Sequence, residues 1–156
     1  MTEPMISDLN FQQQAYFLQE SPSAGSLRNA VLDIRESCQN PWGFSRHRDE
    51  RRAAVRHRIN TPVHVFPTRF SKASGLFLVQ TDEFDIGVTR DISCQGVGWR
   101  QLVPSDTKFH LLEFFLPNRD TPVRLIALCR WSRNRPEGVE IGSTLTGIAI
   151  PTESVP

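Results

Sequence analysis

From Thr61 onward, apolar and polar residues alternate in short runs broken by Ser, Gly, Pro, Asp and Asn. The pattern predicts strands over 61–66, 74–81, 84–92, 96–102, 107–116, 121–132 and 138–150. In 121–132, Val123, Leu125, Ala127, Cys129 and Trp131 share one parity while Arg124 and Arg130 lie on the other, the period of a strand with one apolar face. Phe109–Leu116 is apolar on both parities, as in a strand covered on both sides. Six or seven strands with no long helical stretch between them predict a mainly β protein, a small antiparallel barrel or a sandwich.

The first part of the chain has another rhythm. Ser26 is a good N-cap for a helix to about Gln39, in which Leu27, Ala30, Val31, Ile34 and Cys38 form one apolar stripe. Packing on its own domain is the default for that stripe, with Phe109–Leu116 as a candidate surface. A weaker helical stretch from Ser7-Asp8 through Glu20 has its apolar residues scattered among glutamines. Residues 1–44 are therefore expected to form an N-terminal helical extension, 45–60 a basic linker and 61–150 the β domain.

Charge sharpens the division. The 156 residues carry a net charge of only +1, yet Ser45–Arg58 holds six arginines against Asp49 and Glu50. That excess of four positive charges leaves the remainder at −3. Sixteen of the eighteen basic residues are arginine, whose planar fork suits phosphate and guanine edges. No run of about eighteen apolar residues exists, the N-terminus lacks a signal-peptide pattern, and the three cysteines form no CxxC. A cytoplasmic location is the expectation.

Two motifs stand out. Glu50-Arg51-Arg52-Ala53-Ala54-Val55-Arg56 contains R-x-x-x-R, and Asp91-Ile92-Ser93-Cys94-Gln95-Gly96 is a D-x-S-x-x-G at a strand end. By itself the first carries nothing, and the second reads equally as a turn. Their order is more informative: a basic linker, a first strand, the Asp/Ser/Gly turn some 35 residues later, then Ala127-Leu128-Cys129-Arg130-Trp131 and Val139-Glu140-Ile141-Gly142. Over about residues 46–150 this order resembles the PilZ domain family, bacterial receptors for the second messenger cyclic di-GMP.

The resemblance implies a PilZ-like six- or seven-stranded barrel in which Arg51, Arg52 and Arg56 fold over a cyclic di-GMP lying at Asp91, Ser93 and Gly96. Arg forks bond phosphates or the O6/N7 edge of guanine, and Asp91 accepts from guanine N1–H and N2–H₂. Gly96 would let backbone and base approach, and Ser93 would add a small donor or acceptor. Arg51, directly before R-x-x-x-R, implies an intercalated ligand dimer, and Trp131 matches an aromatic that stacks on guanine in some members. Trp131 reads equally as a core residue. The sequence departs from the family pattern at His57-Arg58, so Arg58 is a candidate to share or replace the role of Arg56, and at Val103-Pro104-Ser105-Asp106, where the family commonly has Gly.

No catalytic constellation or metal-ligand spacing is present in the sequence, and the expectation is a binding module acting on an unidentified protein partner. Two other classes fit the same features. One is a single-stranded nucleic-acid binder with Trp99 or Trp131 stacking on bases; the other is a ligand-independent PilZ-like interaction domain.

Overall fold

Nine strands and one helix account for the regular structure of the described residues, which in this computed structural model are 13–18, 24–37, 57–117 and 119–152. In chain order they are β1 (Gln13–Leu18), α1 (Ala24–Ser37), β2 (His57–Arg58), β3 (Pro62–Ser71), β4 (Leu76–Gln80), β5 (Asp85–Ile92), β6 (Gly96–Gln101), β7 (Phe109–Phe114), β8 (Val123–Arg135) and β9 (Gly138–Pro151). The strands form one antiparallel sheet in the order β1-β4-β3-β7-β8-β9-β6-β5-β2. Two further pairings, β3–β5 and β1–β9, join strands far apart in that order. The long β3 serves three neighbours: Pro62–Val65 pair with β5, His64–Thr68 with β7 and Thr68–Ser71 with β4. The ladder β3-β7-β8-β9-β6-β5 thereby returns to β3.

Alternation along each strand separates two cores. The larger gathers Val63 and Val65, Ile92, Val97 and Trp99, Leu112 and Phe114, Leu125 and Ala127, and Val139 and Ile141, with Ala30, Val31 and Ile34 from α1. A smaller one on the other face joins Tyr16, Phe77, Val79, Leu111, Ile126 and Ala149. β7 contributes Leu112 and Phe114 to the first and Leu111 to the second, which is why its sequence is apolar on both parities. The predicted helical stripe packs on the first core through Leu27, Ala30, Val31 and Ile34. Each fully buried aliphatic side chain contributes ~1.5–3 kcal/mol relative to exposure.

The expected N-terminal helical extension is not supported: β1 belongs to the sheet, and the one helix of the described residues packs on the first core. Gln13–Leu18 is a strand, paired with β4 through Gln13↔Gln80 and with β9 through Phe17↔Ile150. Its glutamines hide the alternation, and Tyr16 is buried only because β4 and β9 supply the surface it packs on. The helix runs 24–37 rather than 26–39, and Cys38 lies outside the described residues. All seven predicted strands are present, the first extended from 66 to Ser71. No helix among the described residues is long and apolar enough to cross a membrane.

Candidate functional site

The Asp91 turn is shaped by its own side chains. Ser93 donates its backbone N–H to the Gly96 carbonyl at 2.8 Å, while its hydroxyl oxygen accepts the N–H groups of Gln95 (3.1 Å) and Gly96 (3.2 Å). Ser93 is buried, so this hydroxyl serves the turn. A Cβ on Gly96 would collide with the Ser143 carbonyl oxygen of β9. The need for glycine here comes from strand packing, whereas a ligand's approach was the expected reason. Ser143 closes the contact by donating its hydroxyl to the Val97 carbonyl at 2.8 Å.

Sheet register brings distant residues into line. Arg58 of β2 is the direct partner of Asp91 on β5, Asp91 of Gly98 on β6, Gly98 of Gly142 on β9, and Gly142 of Trp131 on β8. Directly opposed residues share a face. Arg58, Asp91, Gly98, Gly142 and Trp131 therefore form one transverse row, about 19 Å long at ~4.8 Å per strand. Its floor is two glycines. The Asp91 carboxylate lies over Gly98, where a Cβ would sit 3.1 Å from Oδ1, and the Trp131 indole lies over Gly142, where a Cβ would strike the ring. Acid and indole thus lean toward one another across a flat strip.

Bulges decide who joins this row. The β5–β6 register skips Arg90 and the β8–β9 register skips Arg130. A bulge shifts parity by one and re-aims the side chains beyond it. The second one ends the predicted apolar face of β8: Val123, Leu125 and Ala127 are buried, whereas Trp131 is 44% exposed. Trp131 is therefore not the core residue that simple alternation allows. Trp99 is the buried one, at 0% exposure, donating its indole N–H to Gln101 Oε1 at 2.6 Å, and it cannot stack on a base. Burial raises the Cys129 thiol pKa, outweighing a contact to the Trp131 carbonyl.

Cations surround the strip. Arg133 holds its guanidinium 5.1 Å from the Trp131 ring centroid. Arg90 and Arg135 both pair with the buried Glu140, Arg135 through Nε at 3.2 Å and Nη2 at 3.0 Å. Two residues missed by sequence reasoning come from the helix. Arg28 and Arg35, seven apart and so on one helical face, line a cleft of about 190 Å³ with His57, Ser93 and Cys94. Arg35 lies 2.9 Å from His57 Nε2, tying α1 to β2. Their i, i+7 spacing beside the apolar stripe was the available signal.

Of the expected site, Arg58, Asp91 and Trp131 come together on the row, Ser93 and Gly96 build the turn beside it, and Arg51, Arg52 and Arg56 lie outside the described residues. Among the described residues no cluster of three His, Cys, Asp or Glu could hold a metal. Comparison of the chain with protein-family models, curated proteins and solved structures gives no match.

Proposed function

We propose that the protein is a cyclic di-GMP receptor of PilZ type, with β3-β7-β8-β9-β6-β5 as a six-stranded barrel and no catalytic role. The observation that carries the reading is the transverse row: a carboxylate and an indole, contributed by strands remote in sequence, share a glycine-floored strip with Arg58. A guanine stacked against the indole would present N1–H and N2–H₂ to Asp91, with Arg133 leaving the ring to the purine. The phosphates would be taken by Arg51, Arg52 and Arg56. Arg56 is the residue before His57, and the β2 backbone pairs along β5 at Asp91 and Ile92, so the arginine segment is joined covalently to the strand that carries Arg58. Arg52 is five residues from His57, within ~17 Å of extended chain.

Ordering that segment over the strip would transmit binding to α1 through the Arg35–His57 contact, and from there to a protein partner. The enclosure of Trp99 weighs against a single-strand nucleic-acid reading, which is left with Trp131 alone.

Calorimetry at moderate salt tests the proposal. Cyclic di-GMP should bind, Arg52→Ala and Arg56→Ala should each weaken it ~10–100-fold, and Asp91→Ala should narrow the preference over cyclic di-AMP. Absence of heat and of thermal stabilisation up to ~100 μM would refute it. Oligonucleotide binding with a steep salt slope and no guanine preference would favour the nucleic-acid reading instead.

A further inference from the structure

The far end of the β5–β6 hairpin carries a separate cavity. Asp85 opens β5 and Asp91 nearly ends it, six residues or ~20 Å apart. Beside Asp85, residues of β3 and of the β4–β5 and β6–β7 loops line a half-open cavity of about 500 Å³. That is within the size range of small-molecule sites, ~300–1,000 Å³. Val65, Pro67, Phe84 and Val103 supply apolar walls.

The polar groups of this cavity have one sign. Glu83, Asp85 and Asp106 line it, and no lysine or arginine does among the described residues. Asp85 is committed structurally, its Oδ1 accepting the Ile86 N–H at 2.8 Å and its Oδ2 the Val103 N–H at 3.0 Å, which holds the second loop in place. Glu83 and Asp106 are exposed at the mouth.

The fourth ionisable group, His110, is 1% exposed and hydrogen-bonded in a definite direction. Thr107 donates its hydroxyl proton to the Phe109 carbonyl at 3.0 Å, so toward other neighbours Thr107 Oγ1 accepts. His110 Nε2 lies 3.3 Å from Thr107 Oγ1, which can only accept there, and 2.8 Å from Ser105 Oγ, so Nε2 is the donor. The proton of the neutral imidazole is thereby assigned to Nε2, and Nδ1 is an acceptor with no hydrogen-bond partner among the described residues. With no acceptor at Nδ1 for a second proton, the imidazole stays neutral and does not offset the carboxylates.

We propose that this cavity binds a small organic ammonium ion, its apolar body between Val65, Pro67 and Val103 and its charged head between Phe84 and the Glu83 and Asp106 carboxylates. The aromatic face and the carboxylates both attract a cation, and the size and apolar walls exclude a bare inorganic ion as the natural occupant. The assignment is independent of the cyclic di-GMP reading, since the two sites share no residue.

Phenethylammonium chloride is the probe, with 2-phenylethanol and 3-phenylpropionate as neutral and anionic counterparts, followed by NMR of the full chain. Saturable shifts of the Val65 and Val103 methyls and the Gln101 side-chain amide are expected below ~10 mM, with the alcohol at least ~10-fold weaker and the anion without effect. The double variant Glu83→Gln/Asp106→Asn, which changes only exposed side chains, should weaken the ammonium ~10-fold while leaving the melting temperature unchanged. Equal binding by the alcohol or the anion, unaltered binding by the double variant, or no saturable shift for the ammonium would each overturn the assignment.

Discussion

At the Asp91 end of the β5–β6 hairpin, three residues (Ser93–Gln95) reverse the chain, and the Ser93 hydroxyl accepts the N–H groups of Gln95 and of Gly96, which opens β6. At the other end seven residues, 102–108, lead from β6 to β7, tethered by Asp85 to the Val103 N–H and by Gln101 to the Val103 carbonyl at 2.7 Å. The short turn leaves no space inside itself and exposes a flat outer row. The long loop, together with β3 and the β4–β5 connection, lines a half-open cavity. Charge follows the same division, with Arg58 and the helix arginines at the first end and three carboxylates at the second. Loop length and side-chain capping thus go with a flat row of side chains at one end and a half-open cavity at the other.

The largest expected effect joins the ends through the core. Trp99→Ala removes a fully buried indole and strands the Gln101 amide, and should cost about 3–5 kcal/mol in denaturant unfolding. Losing that stability without losing the proposed cyclic di-GMP binding at low temperature would show that the Asp91 end does not depend on the Gln101 clamp.

Next comes pH, which acts at the cavity end. Burial lowers the His110 pKa from 6.5 to about 4. Between those values the unfolded chain takes up a proton that the native protein refuses, so stability is full above 6.5 and declines as pH falls toward 4. The loss is about 3 kcal/mol over that window. In His110→Gln this contribution should vanish, leaving a shallower acid limb in stability-versus-pH curves. Identical limbs would mean that the imidazole is protonated in the native state.

At the Asp91 end, Gly96→Ala drives a Cβ into the Ser143 carbonyl and should destabilise by ~1–3 kcal/mol. Gly142→Ala should dislodge the Trp131 ring and, on the proposed reading, weaken cyclic di-GMP binding several-fold, with the His110 acid transition unmoved. A shift of that transition by Gly142→Ala would show the two ends to be coupled. The smallest change is expected from Arg35→Ala, which cuts the contact to His57: about 0.5–1 kcal/mol in stability, measured by chemical denaturation.

Much of the fold was legible because alternation is a local property. The seven strands from 61 onward and the helical stripe at Leu27, Ala30, Val31 and Ile34 follow from periodicity alone. β1 was not legible, since only Tyr16 among its described side chains is buried and its packing surface comes from β4 and β9. β2 is two residues long, too short for any pattern, and forms because β5 offers it an edge. Asp91 and Ser93 were legible as a turn. Trp131 was ambiguous because its exposure depends on a bulge at Arg130.

What the amino-acid order determined by itself was the type of each element, the segregation of arginines before the first long strand, and the Asp/Ser/Gly turn, all consequences of interactions between near neighbours. Only the tertiary structure decided that Arg58, Asp91 and Trp131 lie in one row and that three carboxylates and a neutral histidine line one cavity. Those facts depend on register, and register is set by bulges and by close strand approach at glycines. A one-residue slip would send each of these side chains to the opposite face.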